Sequence, residues 1–148
     1  MSENFSLKAF VVIMKASRTL EEITKKDIKK HGMRTSDFTI LEALYHKGKQ
    51  TIREISEAVL INTGSITYVI DKLENNGLLT RSSNPDDRRA VYIEITDKGK
   101  EIMDDIFPKH QRVIEELFDG ISEEEKQTVI DVLKKVGTKN MGEINERK

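Results

Sequence analysis

The chain reads as a mainly α-helical protein carrying one small β-hairpin, an α+β class, and three observations predict it. Apolar residues recur at helical spacing over most of the 148 residues, whereas strict alternation holds only at Val91, Ile93 and Ile95, interleaved with Tyr92 and Glu94. Gly32, Gly48, Gly77 and Gly120 each follow a periodic run, and glycine ends helices at little steric cost. From Thr51 to Thr96 the pattern is a short helix, a tight turn, a second helix and a hairpin with a charged tip.

Composition narrows the class. A chain of 148 residues makes one domain and buries about 70% of its unfolded surface, so it needs no covalent staple. It has no cysteine, which excludes disulfides, zinc-thiolate sites and thiol redox switches. No apolar run approaches the roughly 18 residues of a membrane span, and residues 1–20 lack a cleavable signal layout, so a cytoplasmic protein is expected. A net charge of -1 argues against nonspecific coating of nucleic acid. The charge is uneven, with 11 Lys+Arg against 8 Asp+Glu over residues 1–60, 6 against 6 over 61–100, and 8 against 12 over 101–148. That distribution fits a sequence-specific reader with an acidic back.

Residues 7 to 31 form the first predicted helix, with Leu7, Phe10, Val11 and Met14 on one face and Leu20, Ile23, Thr24 and Ile28 continuing it. Such a helix is about 37 Å long at 1.5 Å per residue, more than one small domain covers, so something else must bury its far end. Lys25, Lys26, Lys29 and Lys30 alternate with Asp27 and Ile28 and read as a solvated edge. A second helix starts at residues 33–37 with hydroxyl caps and an acid in its first turn, then carries Phe38, Leu41, Leu44 and Tyr45 inward. Arg34, Thr35 and Ser36 at its start either cap it or meet a phosphate.

Thr51 stands three residues before Glu54, a capping-box spacing, and Ile52, Ile55 and Val59 share one face of the short helix that follows. Asn62 is the N-cap type for the next helix, with Ile61 placed to staple onto Ile66; Asn76-Gly77 ends it. Residues 78–82 are expected to pair with 91–95 across 83–89, turning at Asn84-Pro85. Thr96-Asp97 caps a long helix with the stripe Ile102, Ile106, Val113 and Leu117, which Pro108 should interrupt and kink. Ser122 and Glu125 form a second capping box, opening a helix over 123–137 with Val129, Ile130, Leu133 and Val136; the polar tail from Thr138 is expected to fray.

On the helix after Asn62, the stripe Ile66, Val69, Ile70 and Leu73 faces inward at 100° per residue. The outer face therefore carries Gly64, Tyr68 and Asp71, flanked by Ser65, Thr67 and Lys72. Its start is small, hydroxylated and free of carboxylate, so amides and short side chains can approach base edges while the positive end of the helix dipole meets phosphates. Arg88-Arg89 beside Asp86-Asp87 at a projecting hairpin tip suits a minor groove, where the negative potential favours arginine. Asp87, two residues before Arg89, is placed to hold that side chain extended.

Two stretches carry a family resemblance: Asn-Thr-Gly-Ser-Ile-Thr-Tyr-Val-Ile-Asp-Lys-Leu-Glu-Asn-Asn-Gly-Leu at 62–78 and Asp-Arg-Arg-Ala-Val-Tyr-Ile-Glu-Ile-Thr-Asp-Lys-Gly at 87–99. They resemble the multiple-antibiotic-resistance repressor (MarR) family of bacterial winged helix-turn-helix transcription regulators, and the likeness extends through the flanking helices. The resemblance implies a homodimeric repressor whose recognition helices enter successive major grooves of double-stranded DNA, with wings in the adjacent minor grooves. DNA contacts are then expected from Asn62, Thr63, Gly64, Ser65, Thr67, Tyr68 and Lys72 on the helix, and from Asp87, Arg88 and Arg89 on the wing. It also implies release by a small aromatic or phenolic ligand held where dimer helices meet the winged region, with Phe10, Met14, Phe38, Tyr45 and His46 as candidate walls.

Three terminal helices carry apolar stripes that a small winged region cannot cover, which predicts a symmetric dimer. Residues 1–32 and 97–148 are assigned to dimerisation and 33–96 to DNA binding, within one compact entwined domain. Two recognition helices would then lie about 34 Å apart, one turn of B-DNA, which calls for a pseudo-palindromic operator. No catalytic site, metal or cofactor is expected. His31, His46 and His110 read as surface or interface residues without an i, i+4 partner, Gly64 stands alone, and the carboxylate pairs sit among helix charges. The alternative is a dimeric adaptor whose winged region binds protein rather than DNA, because winged domains do both.

Overall fold

The computed structural model describes residues 3–59 and 63–146, with only the backbone described at 63, 64, 88 and 141–146. Met1–Ile114 and Glu115–Lys148 form two compact units. The element order is α1 (Phe5–Lys30), α2 (Thr35–Lys47), β1 (Gln50–Thr51), α3 (Ile52–Ala58), α4 (Thr63–Asn75), β2 (Leu79–Asn84), β3 (Asp87–Ile95), α5 (Asp97–Leu117) and α6 (Glu123–Glu146). No helix among the described residues is long and apolar enough to cross a membrane.

The core of the first unit is built on apolar side chains at the spacing that the periodicity marked. Phe38, Ile40, Leu41 and Leu44 of α2 meet Ile55 of α3, the stripe Ile66, Val69, Ile70 and Leu73 of α4, Ile93 of β3 and Met103 of α5 in one buried cluster. Burying a side chain of this size stabilises the fold by about 1.5–3 kcal/mol each. From α1 only Ile28 joins the core, while Phe5, Leu7, Phe10, Val11 and Met14 stay exposed. In the second unit, Val129, Ile130, Leu133 and Val136 of α6 are likewise exposed.

Caps follow the sequence at most helix starts. The Thr51 hydroxyl accepts from the Glu54 amide at 3.2 Å. Ser122 and Glu125 make both halves of their box, each bond 3.1 Å. The Thr96 hydroxyl accepts from the Gly99 amide at 3.1 Å and donates to the Gly77 carbonyl at 2.7 Å, tying the start of α5 to the turn after α4.

Several expectations need correction. The start of α2 is not hydroxyl-capped: Arg34 occupies the cap position without a side-chain bond, and the Thr35 hydroxyl, already inside the helix, is buried without a partner. α5 is continuous through Pro108, so the proline does not end the helix, and Met103, Ile106 and His110 are buried on either side of it. α6 continues past residue 137 to Glu146, and the Asn140 side-chain amide donates to the Val136 carbonyl at 2.9 Å. The Asn62 cap and the Ile61 staple lie outside the described residues.

Strand β1 was not legible in the sequence. Two residues long, it pairs antiparallel with β3 (Gln50 opposite Ile93, Thr51 opposite Tyr92), giving a sheet in the order β1-β3-β2. The β2–β3 ladder runs from Leu79 opposite Ile95 to Ser83 opposite Val91, then shifts so that Asn84 lies opposite Asp87. The hairpin is therefore longer than expected, its turn is Pro85-Asp86, and residues 88–90 bulge from β3.

Candidate nucleic-acid interface

Helix α4 presents the outer face that its period requires. Ser65 and Thr67 are exposed, Tyr68 is 66% exposed, and the first turn carries no acid. Thr63 and Gly64 begin the helical backbone, so the free amides and the positive end of the dipole sit at this end. Tyr68 offers an apolar ring and a hydroxyl to solvent.

Two other expected contact residues are engaged elsewhere. Lys72 does not project freely: its ammonium lies 2.8 Å from the Asp37 carboxylate, half-buried between α4 and the first turn of α2. Asp37 thus neutralises Lys72 while also meeting the positive start of α2. Asp87 does not brace the Arg89 side chain either; its carboxylate accepts from the Arg89 backbone amide at 3.0 Å, fixing the bulged main chain. At the turn, the Asn84 side chain accepts from the Asp86 amide at 3.0 Å and donates to the Tyr92 hydroxyl at 3.2 Å.

The arginines expected at the tip stand in the bulge of β3, just beyond the turn. Arg89 is exposed there, and the Arg88 backbone lies beside it. Bulges turn side chains away from the regular ladder, so this one redirects Arg89. Behind the sheet, the Lys49 ammonium sits 4.8 Å from the centre of the Tyr92 ring, a cation–π contact between the loop before β1 and the hairpin.

Sequence reading missed Arg81. Its guanidinium reaches Glu74 at 2.6 Å and Asp71 at 2.5 Å, and its backbone amide donates to the second Glu74 oxygen at 3.2 Å. The hydrogen bond that the guanidinium donates to Asp71, followed by the one to Glu74, holds it charged more firmly than usual. A signal existed: Asp71 and Glu74 are one turn apart on the same helix, and Arg81 is the only cation in the strand that follows.

The candidate ligand residues fall into two groups. Phe38, Tyr45 and His46 converge with Phe107 and His110 of α5, both missed: ring centroids are 4.4 Å apart for His46 and Phe107 and 4.7 Å for Phe38 and His110. Tyr45 donates to Asp104, and that bond pushes the Tyr45 phenol up from its ordinary value. Phe10 and Met14 lie outside this cluster, 61% and 55% exposed on α1. An open cleft of about 200 Å³ beside His46 is lined by Ala43, Lys47 and Ala58.

The histidines also need correction. Asp27 and His31 are an i, i+4 pair, 3.9 Å apart, and the buried His110 brings its Nδ1 to 3.3 Å from the other Asp27 oxygen. A carboxylate between two imidazoles ties the end of α1 to α5, which explains how a charged residue is accommodated there.

A polar helix start beside an arginine-bearing hairpin, both set on one apolar core, defines a winged helix-turn-helix protein. The MarR family profile matches residues 33–91. The chain is 45% identical over 132 residues to the HTH-type transcriptional regulator MhqR of Bacillus subtilis, covering 89% of this chain and 91% of that one. Among solved structures, AbsC, a MarR family regulator from Streptomyces coelicolor, shares the fold with a TM-score of 0.85 at 21% identity, covering 96% and 98% of the two chains. BpsR of Bordetella bronchiseptica, whose DNA binding is regulated by 6-hydroxynicotinic acid, shares it with a TM-score of 0.75 at 22% identity, covering 88% and 98%. The chain belongs to the MarR family and is a transcription regulator of that type.

Proposed function

We propose that the protein is a homodimeric repressor that occupies a pseudo-palindromic operator and leaves it when a small aromatic ligand binds. The carrying observation is the pairing of an exposed, carboxylate-free start of α4 with an exposed Arg89 in the hairpin bulge. Asn62, Thr63, Gly64, Ser65, Thr67 and Tyr68 read base edges in the major groove, while Arg88 and Arg89 enter the minor groove. Asp87 acts by shaping the bulge, and Lys72, bound to Asp37, is left out of the contact set.

Residues 1–32 and 97–148 form the dimerisation region and 33–96 the reading region. The exposed apolar faces of α1 and α6 support this division, because large apolar patches mark protein interfaces. Ligand control is supported by the family and by the aromatic cluster of Phe38, Tyr45, His46, Phe107 and His110. A ligand there acts only through its differential affinity for the DNA-competent and DNA-incompetent spacings.

Selection of duplexes from a random pool tests the proposal. Enrichment of an inverted repeat with half-sites about one helical turn apart, and affinity that falls steeply with salt, is the expected result. No enriched sequence at moderate ionic strength refutes it. Small aromatic acids and phenols titrated into the enriched complex then test release.

A further inference from the structure

We infer that Arg81 is a positioning residue for DNA reading, holding the wing at one angle to the recognition helix while covering the Asp71 carboxylate on that helix's outer face. This inference rests on the DNA-reading role proposed above.

Three bonds make the case. Glu74 grips β2 twice, through the Arg81 guanidinium at 2.6 Å and the Arg81 backbone amide at 3.2 Å, so it fixes the strand as well as the side chain. The other guanidinium nitrogen reaches Asp71 at 2.5 Å. A planar fork with several donors can serve two carboxylates at once, which a lysine ammonium on a flexible stem does poorly. Among the described residues no other side-chain hydrogen bond or ion pair joins α4 to the β2–β3 hairpin.

Exposure argues against a role in stability alone. The Arg81, Glu74 and Asp71 side chains are 27%, 37% and 55% exposed, and ion pairs so open to water contribute little to folding. What such a clamp does supply is direction and charge. Hairpin tips far from a core are compliant, yet the bulge that carries Arg89 must reach a groove set by where α4 lies. Asp71 stands one turn beyond Tyr68 on the outer face, where a bare carboxylate would repel phosphate; the guanidinium cancels it.

The absence of cysteine gives a direct test of positioning without DNA, because Asn75→Cys and Ser83→Cys supply the only thiols for nitroxide labels. Electron paramagnetic resonance should show a narrow distance distribution in the labelled parent and a broad one when Arg81→Met is added, with helicity and thermal midpoint retained. An unchanged width overturns the inference. Should Arg81→Met fail to fold, Arg81→Lys takes its place, with the same two outcomes.

The second arm uses a duplex enriched by the wild-type protein. Arg81→Met should lower affinity about tenfold or more and erase minor-groove protection flanking the half-sites. Arg81→Lys should recover affinity at low salt without recovering that protection. Adding Asp71→Asn to Arg81→Met should recover only the salt-sensitive part. Parental affinity and protection in Arg81→Met overturn the inference. If the wild-type protein enriches no duplex, the DNA-reading role fails, while the label distances still decide whether Arg81 sets the wing.

Discussion

Arg89 and Ser65 make different demands on DNA, and single substitutions should separate them. Arg89→Ala removes a charge aimed at groove shape, so it should weaken every duplex of similar shape and reduce the salt slope by about one. Ser65→Ala or Tyr68→Ala should instead cost ~1–3 kcal/mol at particular base pairs, read as relaxed specificity in competition binding across single-base variants. Gly99 shows how one atom can decide local packing. A Cβ there would lie 2.4 Å from the Leu78 carbonyl oxygen and 2.7 Å from Ile95 Cγ1, and the carbonyl belongs to backbone that cannot turn aside. Gly99→Ala should therefore destabilise the fold by about 1–3 kcal/mol in urea unfolding, although alanine is otherwise the better helix former.

Elements inherit their limits from caps, and α6 offers a test with a defined sign. The Glu125 carboxylate accepts from the Ser122 backbone amide, which with the Ser122 side chain lowers its pKa below the ordinary carboxylate value. A carboxylate lowered on folding contributes stability that is present above its unfolded pKa, about 4.3, and lost as pH falls through the folded value. Hydrogen-exchange protection factors, corrected for the intrinsic rate, should fall in the first turn of α6 as pH drops across that acid window, and Glu125→Gln should flatten the response. The capping box was legible because both bonds are local, spanning three residues. β1 was not, because a two-residue strand has no period of its own and exists only where β3 supplies partners. Helical stripes were legible for the converse reason: the buried set Ile66, Val69, Ile70 and Leu73 repeats at the helix's own period.

At the scale of the whole molecule, the exposed apolar residues of α1 and α6 should be buried between two copies. Sedimentation equilibrium should give twice 17.0 kDa, and Phe10→Glu with Met14→Glu should yield a folded monomer that no longer selects inverted repeats. A monomeric wild-type protein at micromolar concentration would remove the dimer from the proposal. The amino-acid order alone determined the succession of helices, the polar outer face of α4 and the family, because periodicity, caps and turn residues act over a few positions. Tertiary structure alone decided which charges remain available. Lys72 goes to Asp37, Arg81 bridges Asp71 and Glu74, and Asp27 joins His31 with His110. Except for Asp27 with His31, these pairs span separate elements, and a charge chooses its partner by distance in space, which sequence spacing beyond one helical turn does not encode.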